Sequence, residues 1–321
     1  MRLLQYNSKG EIHLTKEYIS DDVPAYAILS HTWGSSEVTF KDLMDARGQD
    51  KPGYDKIRFC GRQAWRDGLQ YFWVDTCCID KSSSAELQEA INCMYRWYRS
   101  AAKCYVYLAD VSESTFHLND PFGQQQWIPA FRNSRWFTRG WTLQELIAPA
   151  SVEFFSREGT KLGNKNSLEK AICEITGIPY NALRGSPLSN FSSSQRLSWI
   201  EKRNTTKAED KAYSLLGIFD IQMPLLYGEG REKAFRRLQE EIDKSSQRGI
   251  SAQVTPQLQC YKCKEFGHYA SDPHCYICGN YGHLSTHGVH CYKCGAFGHY
   301  ASEHCYGCDQ FGHYIQDCPQ R

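Results

Sequence analysis

YFWVDTCCIDKSSSAELQEAINCMYRWYRSAAKCYVYLADV, residues Tyr71–Val111, decides the fold. Its first part, Tyr71–Ile79, is a near-continuous apolar run, as expected of a strand buried on both faces. Leu87, Ile91, Met94, Tyr95 and Tyr98 then recur at helical spacing and line one face of a helix. Lys103–Val111 is a second buried strand. Strand, helix and strand in one stretch imply a parallel pair joined by a right-handed crossover.

The pattern extends in both directions. Upstream, Tyr26–His31 (YAILSH) is a short apolar strand and Gly53–Leu69 a helix-like stretch. Downstream, a short helix around Trp141–Leu146 precedes a strand, Ser151–Ser156. The expectation is an α/β domain over 1–195, a parallel sheet flanked by helices. From about 196 the sequence turns helical, giving an extension over 196–245. Thr206 with Glu209 suits a capping box. Ala208, Ala212, Leu215 and Leu216 can face a core, and Phe235, Leu238 and Ile242 line a last amphipathic helix. The stretch 246–259 is polar and aperiodic and reads as a linker.

Composition narrows the class. The 321 residues are 41% hydrophobic and 23% charged with net charge +1. That balance makes no global electrostatic case for nucleic acid, a membrane surface or an acidic partner. The opening MRLLQYNSKGEIHLTKE lacks the apolar run of a signal peptide. No stretch approaches the roughly 18 apolar residues of a membrane span. The expected compartment is cytosol or nucleus.

Of 15 Cys, six lie before residue 250, and the other nine crowd into 260–321 beside eight of the 11 His. Cys with His at fixed spacing reads as metal, because a disulfide scaffold has no need of imidazole. Four units repeat there: CYKCKEFGH from Cys260, CYICGNYGH from Cys275, CYKCGAFGH from Cys291 and CYGCDQFGH from Cys305. Two thiolates three apart can hold one ion from a tight turn, and the Gly before each His lets the loop return the imidazole. Units this short have no core, so metal must supply their folding free energy.

The last unit is complete, with Cys305, Cys308, His313 and Cys318. The third pairs Cys291, Cys294 and His299 with His304. The first pairs Cys260, Cys263 and His268 with His274, one step past the place of the fourth Cys; Cys275 could close it instead but would then be lost to the second unit. The second pairs Cys275, Cys278 and His283 with His287, and His290 lies nearby. The Cys and His together give 17 candidates, and four tetrahedral sites need 16. Up to four structural zinc ions are expected. The other reading is a decayed array in which only the last one or two units bind. The last unit resembles the CCHC zinc knuckle of retroviral nucleocapsid proteins, which implies single-stranded nucleic acid as a ligand. Aromatics for stacking are present, Tyr261, Phe266 and Phe311 among them. The charge is not: four basic residues (Lys262, Lys264, Lys293, Arg321) face five acidic ones (Glu265, Asp272, Glu303, Asp309, Asp317). A protein partner fits about as well.

The segments YAILSHTWG, YFWVDTCCIDKSSSAELQEAI, SRWFTRGWTLQELIAP and AEDKAYSLLGIFDIQMPLLYGEGREKAFRRLQEEI together resemble the fungal heterokaryon-incompatibility (HET) domain with its C-terminal extension. The resemblance covers nearly all of 1–245. It implies non-self recognition in which the domain triggers programmed cell death. Here the knuckle array stands where a sensor region normally follows.

In an open parallel sheet, ligands sit beyond the carboxyl ends of the strands. Ser30, His31, Asp75, Thr76 and Asp110 fall there. The motif order also looks like a TIR domain, with Thr138, Trp141, Glu145 and Leu146 as Ser/Thr-x-x-Trp-x-x-x-Glu-Leu. Enzymatic TIR domains cleave the nicotinamide–ribose bond of NAD with a Glu at that place. That resemblance implies Glu145 as the catalytic carboxylate, with His31, Asp75, Arg139 and Trp141 shaping the pocket and NAD as substrate. Each has a plainer reading: Glu145 a helix residue paired with Arg139 or Arg135, Trp141 and Trp73 core residues, His31 a hydrogen-bonded core imidazole. Cys77 and Cys78 sit in a buried run, where thiols are inert. GEGREK at Gly228 imitates a dinucleotide fingerprint but lacks the third Gly and a preceding strand. Two further functions stay open. One is a non-enzymatic signalling module acting by self-association. The other is a nucleic-acid-binding protein with a HET remnant.

Overall fold

The computed structural model describes residues 1–18, 22–112 and 127–252. The chain divides into two compact units, Met1–Ser245 and Ser246–Arg321. The first is built on one seven-stranded sheet. Its strands are β1 (Leu4–Tyr6), β2 (Ile12–Leu14), β3 (Tyr26–His31), β4 (Tyr71–Trp73), β5 (Lys103–Tyr107), β6 (Val152–Phe155) and β7 (Lys161–Asn164).

Across the sheet the order is β2-β1-β4-β3-β5-β6-β7. The central four, β4-β3-β5-β6, are parallel. An antiparallel hairpin closes each side, β1–β2 beside β4 and β7 beside β6. The sheet is therefore mixed, and the expected all-parallel arrangement holds only for its centre. The edge strands are three or four residues long and only partly buried or exposed, so they lack the apolar run that marks the central strands.

The run Tyr71–Ile79 departs from expectation. Its strand ends at Trp73, and Asp75–Cys78 form a helical turn. Cys77 and Cys78 donate their amides back to the Val74 carbonyl. Burial of a helical turn produces the same apolar spelling as burial of a strand, which is why periodicity alone does not separate them.

From β3 the chain moves one step to β4, then returns past β3 to β5. Right-handed crossovers in opposite directions place their helices on opposite faces. Ring contacts agree. Phe59, on the helix Tyr54–Arg66, packs its ring against Tyr105, Tyr107 and Phe155. Tyr98, on the helix Ser84–Ser100, packs against Trp73 and donates its hydroxyl to the Leu29 carbonyl.

The extension packs on the second face. Gly217 lets the turn Leu216–Phe219 meet the helix Ser84–Ser100; a Cβ there would lie 2.0 Å from Tyr95 Cβ. No Thr206–Glu209 capping box forms. Glu209 Oε1 accepts the amides of Gly228 and Gly230 instead. The GEGREK stretch is thus a loop clamped by a carboxylate, with positive φ at both glycines. A capping box does form at Ser192 and Gln195, opening the helix Ser193–Glu201. Ala212, Leu215 and Leu216 are buried as expected, whereas Ala208 is exposed. Leu238 and Ile242 are buried on the last helix, Arg231–Ala252, which overlaps the start of the stretch read as a linker.

Candidate functional site

The order β4-β3-β5-β6 reverses direction between β3 and β5, the place at which open α/β sheets take their ligands. β3 ends there in Ser30 and His31. Successive side chains on a strand point to opposite faces. Ser30 therefore enters one polar cluster and His31 another.

The first cluster joins Ser30, Trp136 and Glu145. Ser30 Oγ donates to Glu145 Oε2 at 2.5 Å and accepts from Trp136 Nε1 at 2.8 Å. Glu145 sits on the short helix Thr142–Ile147 and is 7% exposed. Trp136 is fully buried in the 3-10 turn Arg135–Thr138. Asp110, just beyond β5, fixes that turn by accepting from Ser134 Oγ and the Arg135 amide, each at 2.8 Å. Burial pushes the Glu145 carboxyl up to about 8; the Ser30 hydrogen bond pulls the other way, and the Asp75 charge adds to the rise.

The second cluster lies on the face of the helix Tyr54–Arg66. His31 Nε2 bonds Asp75 Oδ1 at 3.0 Å, and His31 Nδ1 faces Lys56 Nζ at 3.4 Å. An ammonium can only donate, so it assigns Nδ1 as acceptor and puts the ring proton on Nε2, toward Asp75. Lys56 also donates to the Thr32 carbonyl and pairs with Glu37. Asp75 Oδ2 accepts from Trp33 Nε1 and Lys81 Nζ. Burial alone would raise the Asp75 carboxyl, but Lys81 and His31 together hold it well below the usual carboxylate range.

Glu145, proposed from sequence as the catalytic group, thus meets Ser30 rather than His31 and Asp75, which meet each other. Glu145 bonds to Ser30 and forms no ion pair with Arg139 or Arg135 among the described residues. Arg135 pairs with Asp110. Trp141 is half-buried and turns its Nε1 to Asp210 Oδ2 in the extension, 3.2 Å away. Trp73 is core.

Arg139 enters through its backbone. Its carbonyl accepts from Thr142 Oγ1 and from Arg203 Nη1. Arg203 comes from the extension, is 2% exposed, and donates also to Thr142 Oγ1 at 2.8 Å. Its Nη2 has no hydrogen-bond partner within the protein. Asn204 completes the clamp, accepting from the Gly140 amide and donating to the Thr138 carbonyl. A Cβ at Gly140 would fall 2.4 Å from Thr205 Cγ2, so glycine permits this approach. Arg203 is missed in sequence because EKRNTTK reads as solvated surface. Trp136 lies in the segment SRWFTRGWTLQELIAP but outside its Thr-x-x-Trp-x-x-x-Glu spacing, and Lys56, within the helix-like stretch Gly53–Leu69, carries no signal of its own.

Two cavities lie at the other end of the sheet. One of about 700 Å3 is lined by Arg99, Pro149, Lys165, Glu169 and Arg184. One of about 490 Å3 is lined by Tyr18, Pro24, Tyr26 and Trp97. Both open where strands begin. The expected zinc ligands, Cys260 to Cys318, lie outside the described residues.

Folding stability should report the Glu145 carboxyl. Its folded-state value of about 8 exceeds the unfolded value near 4.3. The stability it contributes is therefore full below about pH 4.3 and is lost as pH rises toward 8. Relative to Glu145→Gln, the wild type should lose at most about 1.4 kcal/mol per pH unit across that window. Urea unfolding of both proteins at pH 5, 6.5 and 8 measures this; a difference independent of pH would refute it.

Comparison with known proteins agrees with the resemblance. The family described as heterokaryon incompatibility protein (HET) matches residues 26–127, which hold β3, β4, β5 and the His31–Asp75 cluster. Glu145 and Arg203 lie beyond that match. The zinc knuckle family matches 258–272 and 289–303. These spans include Cys260, Cys263 and His268, and Cys291, Cys294 and His299. "Vegetative incompatibility protein HET-E-1" of Podospora anserina is 57% identical over 284 residues, 87% of this chain. The chain spans 21% of that relative's length. No solved structure matches. The chain is accordingly a heterokaryon-incompatibility domain protein with CCHC-type zinc knuckles behind the domain.

Proposed function

We propose that the α/β domain is the death effector of a non-self recognition response in the cytosol or nucleus, and that it acts by cleaving NAD at Glu145. The observation that carries this reading is the meeting of Ser30 and Glu145, 115 residues apart in sequence, at the switch point of the sheet. The TIR-like spacing of Thr138, Trp141 and Glu145 supports it. In this chemistry the bond between ribose C1′ and the nicotinamide nitrogen breaks and its electron pair leaves with nicotinamide. A carboxylate opposes the positive charge left on the sugar, and water adds at C1′ with loss of a proton. Glu145 at 7% exposure with its carboxyl raised is a resting arrangement. Catalysis requires it to be uncovered and ionised, and the charges of Arg139 and Arg203 favour the ionised form.

A second reading has its own observation. Ser30, Trp136 and Glu145 satisfy one another in a closed cluster, as a structural core would, which agrees with a non-enzymatic signalling module acting by self-association. NAD measured in cells expressing the chain decides between them. The wild type should deplete NAD, and Glu145→Gln, which keeps a neutral acceptor for Ser30, should lower turnover at least 100-fold. Cell death with NAD intact in both would leave the assembly reading.

The knuckles are the recognition tail in this proposal, taking a protein or a single-stranded nucleic acid. Four zinc ions per chain follow from the ligand sets above, and Cys318→Ala should remove one. Elemental analysis of the purified chain measures this; one or two zinc ions in the wild type would point to a decayed array.

A further inference from the structure

The helix Tyr54–Arg66 buries Ile57, Phe59, Cys60 and Ala64 against the sheet. Its outer face carries Trp65, which is 75% exposed. Exposure of an indole to that extent forgoes a large burial energy. The surroundings are specific. Tyr6, Arg62, Trp65 and Arg66 bound a shallow cavity of about 400 Å3. Tyr6 is laid across the helix at Gly61, where a Cβ would fall 2.7 Å from its hydroxyl oxygen. Burial raises the Tyr6 hydroxyl, and the Arg62 charge opposes that rise. Neither Arg62 nor Arg66 forms an ion pair among the described residues. Arg58, one turn earlier, reaches Asp55 only at 3.9 Å, with both side chains exposed.

Two aromatic rings and two uncommitted guanidiniums around one slot suit a planar base with a phosphate beside it. Arg58, Arg62 and Arg66 recur every four residues, about 6 Å apart along the helix. That is close to the separation of successive phosphates in an extended single strand. An acidic peptide would use the charges but leave the indole and phenol without a stacking partner. The tail adds a reason: it holds four basic against five acidic residues, and phosphate neutralisation supplies most non-specific affinity.

We infer that Tyr6, Arg62, Trp65 and Arg66 form a binding site for single-stranded nucleic acid on the α/β domain, supplying the cationic contact that the zinc knuckles lack. The site is independent of Glu145 and of NAD turnover.

The test is anisotropy of a labelled 20-nucleotide oligo-dT with the full zinc-loaded chain. Trp65→Ala should weaken binding roughly tenfold, and Trp65→Phe should restore part of it. Arg62→Ala with Arg66→Ala should flatten the salt dependence by about 1.4 in log K against log salt, about 0.7 for each phosphate lost. These side chains are exposed, so thermal melting should stay at the wild-type midpoint and separate lost binding from lost folding. If dTMP displaces the oligonucleotide at equal nucleotide concentration, the ligand is a free nucleotide; if only the strand competes, the ligand is a strand. Wild-type affinity and salt slope in all variants, no binding by the wild type, or equal displacement by polyglutamate would each overturn the inference.

Discussion

The alternation of side chains at the end of β3 is the constraint on which this domain turns. Ser30 and His31 are neighbours in sequence, yet the pleat sends them to opposite faces of a sheet covered on both sides. Each brings a polar group into an apolar layer, and a buried polar group without a partner costs free energy. The fold answers both demands from distant sequence. Trp136 and Glu145 come to Ser30; Lys56 and Asp75 come to His31. The short helix at Thr142, the turn at Asp75 and the start of the helix at Tyr54 are placed by these meetings as much as by packing.

The helical extension then becomes part of the domain. Arg203, Asn204 and Thr205 grip the turn from Thr138 to Thr142, and Trp141 reaches Asp210. Glu145 lies one helical turn beyond Thr142, so a displacement of the extension changes the surroundings of its carboxyl. The family match ends at residue 127, before any of these groups. The state of Glu145 therefore depends on both sides of that boundary, on Ser30 and Asp75 within the matched stretch and on the extension beyond it.

Much of this was legible in sequence, and the limits have physical causes. The central strands β3, β5 and β6 announced themselves because strands buried on both faces spell continuous apolar runs. The helix Ser84–Ser100 did so through its periodicity. The edge hairpins did not, since short half-exposed strands carry no such run. The run at Tyr71 overstated its strand because a buried helical turn is spelled alike. Glu145 stood out through its motif spacing, but its contact with Ser30 did not: spacing reveals motifs, and only topology reveals which face a side chain shares. Arg203 was invisible, because nothing in EKRNTTK distinguishes a buried guanidinium from a solvated one.

A direct titration of the Glu145 side-chain carboxyl, by carbon NMR of glutamate-labelled protein and assigned with Glu145→Gln, tests the central claim. A midpoint near 8, lying far above the other glutamates, is the predicted result and would establish a carboxyl sealed against Ser30. A midpoint in the ordinary range near 4.3 would contradict it and place Glu145 in solvent.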